Sequence, residues 1–93
     1  MGRSSTPTFR VEAETYGFHM TPCAWRLKDA GYPTDENVRK YIDKFNESLK
    51  PGGCNEHISK EFPGCCVTAA KVVNQSTNEV VASYRTPSFQ VVP

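Results

Sequence analysis

The sequence predicts a small two-layer α+β sandwich, in which one antiparallel or mixed sheet of four to five strands carries one long helix on one face. Two patterns support this prediction. Valine is the commonest aliphatic residue and several short segments alternate apolar with polar residues, both of which favour strands. One segment, about residues 35–49, has instead the apolar spacing of an amphipathic helix.

Two strands are predicted near the N-terminus. Over residues 8–16, Phe9, Val11 and Ala13 alternate with charged residues, which places apolar and charged side chains on opposite faces. Residues 23–28 alternate in the same way, and the loop between the two segments contains glycine and proline, as expected for a hairpin.

The long helix has the clearest signals at both ends. Thr34 is a good N-cap, and acidic residues follow it where the helix dipole favours them. Pro51-Gly52-Gly53 ends the helix. A single apolar stripe runs along it, formed by Val38, Tyr41, Ile42, Phe45 and Leu49.

The second half of the chain is predicted to hold one short helix and three strands. Asn55 caps the short helix over residues 56–62. Strands follow at residues 66–74, 79–85 and 88–92, and the last has a proline just before it, which suits an edge strand. The predicted order is therefore β-β-α-(short α)-β-β-β.

Length and composition predict one domain over residues 8–93, preceded by a flexible tail over residues 1–7. Ten aromatic residues offset the low aliphatic content, and the net charge of +1 argues against disorder. The sequence has no apolar run of membrane-spanning length and does not begin with a secretory signal, so we expect a cytoplasmic protein.

These features predict a small non-catalytic binding module that acts through protein–protein interaction, as a monomer or as a homodimer paired through its edge strand. The predicted surfaces are the charged sheet face, the edge strand over residues 88–92, and the loops over residues 18–23 and 51–57. The interaction residues predicted on them are Arg10, Glu12, Arg26, Lys28, Arg85, Phe89 and Val91.

The sequence also fits a zinc-stabilised domain. His19, Cys23, Cys54 and His57 form two close pairs, and zinc takes four thiolate or imidazole ligands. The same residues have a simpler interpretation, in which cysteines pack as small apolar groups and histidines face solvent. Zinc is the one cofactor that the sequence suggests.

Cysteine catalysis and nucleic-acid binding have weaker support. Residues 54–57 place a thiol, a carboxylate and an imidazole in one turn, yet no oxyanion partner or substrate pocket follows from the sequence. A nucleic-acid-binding accessory protein would need a basic patch, and positive and negative residues are evenly mixed along the chain. The sequence therefore argues against nucleic acid and favours a protein partner.

Overall fold

The computed structural model describes residues 7–87, which form one antiparallel four-stranded sheet and three helices. The predicted α+β class is confirmed. The predicted strand 88–92 lies outside the described residues, as do residues 1–6 of the predicted tail. In chain order the elements are β1 (Phe9–Tyr16), β2 (Cys23–Trp25), α1 (Leu27–Ala30), α2 (Asp35–Ser48), α3 (Glu56–Glu61), β3 (Cys66–Asn74) and β4 (Glu79–Arg85).

The strands lie in the order β2-β1-β3-β4, so the central pairing brings distant parts of the chain together. Strand β1 pairs with β3 from Phe9 opposite Asn74 to Tyr16 opposite Cys66, with a bulge after Glu14. The β3–β4 pair is a local hairpin. Within the described sheet, β2 and β4 are the two edge strands.

Helix α2 packs across β3 and β4, and its predicted apolar stripe forms the helical side of the core. Val38 and Ile42 are fully buried, Leu49 is nearly so, and the stripe's two aromatic residues are half-buried. Opposite them lie the apolar residues of the sheet's inner face. The largest fully buried ones are Phe9, Val11, Val67 and Val72.

The predicted start of α2 is confirmed. The Thr34 hydroxyl accepts a hydrogen bond from the backbone N–H of Asn37 at 3.1 Å, which satisfies one donor of the first turn. Two ion pairs lie on the exposed surface of the helix, and each joins residues one turn apart. They are Arg39–Asp43 at 3.0 Å and Glu36–Lys40 at 3.9 Å.

The strand predicted over residues 23–28 is wrong beyond Trp25, because the chain turns into the short helix α1. The Trp25 indole Nε1–H donates to the Gly31 carbonyl at 2.7 Å, and the Gly31 N–H donates to the Leu27 carbonyl at 2.8 Å. Gly31 adopts a φ of 75°, which a side chain would disfavour. These contacts reverse the chain direction directly after β2.

Asn55 is the N-cap residue of α3 as predicted, but its side chain forms no cap hydrogen bond with that helix. Instead the Asn55 Nδ2 donates to the Ser48 hydroxyl at 2.9 Å, and its backbone N–H donates to the Ser48 carbonyl at 3.0 Å. Asn55 therefore ties the turn after α2 back to the end of that helix.

Candidate binding cleft

The outer face of the sheet carries the predicted residues Arg10, Glu12 and Arg85, and its charges pair with one another. Arg10 contacts Glu12 at 2.7 Å, and Glu12 also lies 3.6 Å from Lys71. Arg85 donates to Glu14 at 2.8 Å. The paired residues lie on β1, β3 and β4, so the ion pairs cross the sheet and balance its charge locally.

Glu12 occupies the centre of this network. The hydrogen bond from Arg10 holds the pKa of the Glu12 carboxyl below its usual value of 4.5. Loss of water around the carboxylate opposes this effect, and the charges of Arg10 and Lys71 lower the pKa further. Arg10 also donates to the Asn78 side chain at 2.9 Å. The guanidinium of Arg10 is thus engaged by partners on the protein itself.

The remaining predicted interaction residues do not join this face. Lys28 was predicted at the end of a strand and instead lies in helix α1, because the chain turns after Trp25. Arg26 directly precedes α1 and borders a cleft between that helix and α2. Phe89 and Val91 lie outside the described residues.

The cleft has a volume of about 570 Å³ and separates β2 and α1 from α2. The residues that line it from β2 and α1 are Ala24, Trp25, Arg26, Asp29 and Ala30, and those from α2 are Asn37, Lys40, Tyr41 and Lys44. A smaller hollow of about 370 Å³ lies over the paired charges of the outer sheet face. The cleft contains two aromatic residues, whereas the smaller hollow lies over charges that are already paired.

The floor of the cleft is aromatic. The rings of Trp25 and Tyr41 lie 5.8 Å apart at an angle of 45°, and Trp25 is only 5% exposed. The Tyr41 hydroxyl lies 3.5 Å from the thiol of Cys23. Burial raises the pKa of Tyr41 far above its usual value of 10, and the Cys23 contact adds to this, so the phenol stays neutral.

The rim of the cleft is cationic. Arg26 stands on one wall and Lys40 and Lys44 stand on the other, against a single acid, Asp29. Lys40 approaches Glu36 at 3.9 Å on the exposed helix surface. Neither Arg26 nor Lys44 takes part in an ion pair within residues 7–87. The rim therefore has positive charge that is available to an anionic partner.

The four residues of the zinc hypothesis are on different parts of the fold. His19 lies in the loop after β1, Cys23 in β2, Cys54 in the turn before α3 and His57 in α3, and all four are exposed. Between residues 7 and 87 no three His, Cys, Asp or Glu side chains are grouped so as to hold a metal ion. The zinc site stays a prediction that rests on sequence spacing.

The cysteines of the described chain are all free thiols. Cys65 is buried and Cys66 is half-buried beside it. Burial, and then the neighbouring Cys65, raise the pKa of the Cys66 thiol, which disfavours the nucleophilic thiolate. Cys66 therefore has the properties of a packed cysteine of low reactivity.

Sequence reasoning found one of the cleft's three cations, Arg26, and missed Lys40 and Lys44. A signal for them exists, because the two lysines are four residues apart and therefore share a face of α2 beside Tyr41. The alternation of apolar and polar residues over 23–28 does not predict the turn after Trp25. That turn brings Arg26 opposite the helix and closes the cleft.

No protein-family model, curated protein or solved structure matches this chain. Within residues 7–87 no helix is both long and apolar enough to span a bilayer. The function is therefore inferred from the chemistry of the outer sheet face and of the cleft.

Proposed function

We propose that this protein is a small non-catalytic binding module that acts through protein–protein interaction, and that its partner docks in the cleft between β2–α1 and α2. The observation that carries this proposal is the combination of an aromatic floor with cations that have no ion-pair partner in the described chain. Apolar contact supplies affinity, and unpaired charge supplies selectivity and orientation.

The outer sheet face is the weaker of the two candidate surfaces. Its charges already have partners at 2.7–3.6 Å, so a docking protein would have to remove water from ion pairs that it does not improve. Arg26 and Lys44 also lose water on binding, but a partner's carboxylate would be their first ion-pair contact and would offset that loss. The cleft therefore offers more net electrostatic gain on binding.

The remaining predicted features stay part of the proposal as additional contacts. They are the loops over residues 18–23 and 51–57 and a further edge strand over residues 88–92. Phe89 and Val91 would lie on that strand, and it would allow a homodimer. We also propose a cytoplasmic location.

Selection of a random peptide library against the full chain tests this function. We expect enrichment of binding peptides whose NMR chemical-shift perturbations on the protein concentrate at Ala24, Asn37 and Lys44. The charge-reversal variant Lys44→Glu should weaken these peptides by about ten-fold or more.

Lys60→Glu is the matched control, because Lys60 is an exposed lysine on α3 and does not border the cleft. It should leave the affinity unchanged. Chemical-shift perturbations confined to the outer sheet face would show that the peptides bind there and not in the cleft. A library that enriches no peptide would contradict the proposed function.

A further inference from the structure

The cleft follows the open edge of strand β2. Three consecutive residues, Ala24, Trp25 and Arg26, all border it. Side chains of consecutive residues in extended chain point to opposite faces, so three in a row can border one hollow only along the strand's edge. Arg26 continues the extended backbone, with φ −102° and ψ 116°. The cleft thus borders the edge of β2 at the exposed residues Ala24 and Arg26, where the Arg26 carbonyl already accepts hydrogen bonds from the N–H groups of Asp29 and Ala30.

In the described sheet, β2 pairs with β1 alone, so its outer edge faces no other strand there. An open strand edge is a template for an added strand from a partner chain.

The lysines set the spacing of charge along such a segment. Lys40 and Lys44 lie one turn apart on α2, which separates their Cβ atoms by about 5–6 Å. In an extended chain, side chains on one face recur about every 6.6 Å. Acidic residues at alternate positions therefore match the two lysines, and Arg26 stands on the facing wall.

We propose that the cleft binds an extended peptide segment with acidic residues at alternate positions, which pairs with β2 as an additional strand. This inference rests on the proposed function and gives it a partner chemistry. A single-stranded nucleic acid is the other polyanion to consider. It has no peptide N–H and C=O groups to pair with the open edge of β2, so that edge favours a peptide.

Fluorescence anisotropy with defined peptides tests the inference. The probe is a fluorescein-labelled octapeptide of alternating glutamate and valine, and its counterpart replaces every glutamate with lysine. We expect the acidic peptide to bind the full chain at least about ten-fold more tightly than the basic one. The variant with Lys40→Glu and Lys44→Glu should reverse this preference, a gain of binding that an unfolded protein could not produce.

Backbone methylation distinguishes strand pairing from simple charge attraction. Alternate N–H groups of a strand point to the same side. N-methylation of either all valines or all glutamates should therefore weaken binding by about ten-fold, and methylation of the other set should be tolerated. Equal tolerance of both methylated peptides would overturn the strand-pairing inference.

Four further outcomes are also decisive. Failure of the acidic octapeptide to bind, or tighter binding by a ten-nucleotide single-stranded RNA, would overturn the inference. Library peptides that bind in the cleft but are neutral or basic would overturn it while leaving the proposed function intact. If the library enriches no peptide at all, the proposed function fails as well.

Discussion

Arg10 and Glu12 show how one contact sets the charge state of the outer sheet face. Arg10 donates to the Glu12 carboxylate at 2.7 Å, and this hydrogen bond lowers the carboxyl pKa. We predict that Arg10→Met raises the pKa of Glu12 toward 4.5, as measured by carbon NMR titration of the carboxyl group. An unchanged midpoint would mean that Arg10 does not control the titration.

The same contact makes stability depend on pH in a defined direction. The folded state holds Glu12 at a lower pKa than the unfolded chain does, so the ionised form stabilises the fold above the unfolded pKa. We predict that Glu12→Gln lowers the free energy of unfolding at pH 7. The difference from wild type should shrink as the pH falls through the folded pKa, as measured by urea unfolding across the acid range. A difference that is constant with pH would contradict the charge-based explanation.

Asn46 links helix α2 to the sheet, a role that the spacing of apolar residues in the sequence does not indicate. Strand β4 pairs with β3 only from Ala69 onward, which leaves the outer backbone of Val67 without a strand neighbour in the described sheet. The Asn46 amide takes that place, because its Oδ1 accepts from the Val67 N–H at 2.8 Å and its Nδ2 donates to the Val67 carbonyl at 3.1 Å. The side chain thus fastens α2 to the sheet.

We predict that Asn46→Ala lowers the free energy of unfolding by about 2 kcal/mol, since it leaves two backbone groups of a buried residue without partners. Urea denaturation gives this difference directly. Glu47→Ala is the matched control on the same helix, because it removes only an exposed ion pair with Lys50 and should cost less than about 0.5 kcal/mol. Equal losses in the two variants would contradict the bridging role.

At the scale of elements, the start of α2 also protects an edge of the described sheet. The Asp35 carboxylate accepts a hydrogen bond from the backbone N–H of Ser83, on β4, at 3.0 Å. Unpaired N–H groups on an edge strand invite pairing with another chain. Asp35 therefore has two roles, because it also lies in the first helical turn, where an acid is favourable.

We predict that Asp35→Ala lowers the free energy of unfolding by about 1–2 kcal/mol and speeds hydrogen exchange at the Ser83 amide. Glu36→Ala is the matched control, since Glu36 is also acidic and in the first turn but contacts Lys40 on the same helix rather than β4. It should cost about 0.5 kcal/mol and leave exchange at Ser83 unchanged. Matching exchange rates in the two variants would show that Asp35 does not protect β4.

Elements with a strong local period could be predicted to within a residue or two. The stripe from Val38 to Leu49 and the alternation in β1 report burial directly, so both were found. Residues 23–28 alternate equally well, yet the Trp25–Gly31 hydrogen bond turns the chain into α1. That bond depends on a side chain reaching six residues ahead, which no periodic pattern encodes.

At the scale of the whole molecule, the arrangement of elements is less accessible to sequence reasoning than the elements themselves. Strand β1 pairs with β3, and the two are separated by the whole helical part of the chain. The candidate cleft depends on that arrangement, because its walls come from β2–α1 and from α2. Residue types alone indicated mixed charges, while the fold determines which of them are paired and which are available to a partner.

The net charge of +1 is the sum over surfaces of different electrostatic character, among them the outer sheet face and the cleft. On the outer sheet face, Glu12 and Glu14 compensate the neighbouring cations at short distance, whereas the cleft has three cations and one acid. Salt screens charges in solvent over a Debye length of about 10 Å at 0.1 M and about 3 Å at 1 M. The affinity for an acidic peptide should therefore depend on salt more strongly than the free energy of unfolding does.

We predict that raising sodium chloride from about 0.05 M to about 0.5 M weakens binding of the glutamate–valine octapeptide by about ten-fold. The free energy of unfolding should change by less than about 1 kcal/mol over the same range, because exposed ion pairs contribute little. Anisotropy titrations and urea denaturation in matched buffers measure the two quantities. Peptide affinity that is independent of salt would mean that the rim cations do not contact the ligand, and would leave the aromatic floor as the source of binding.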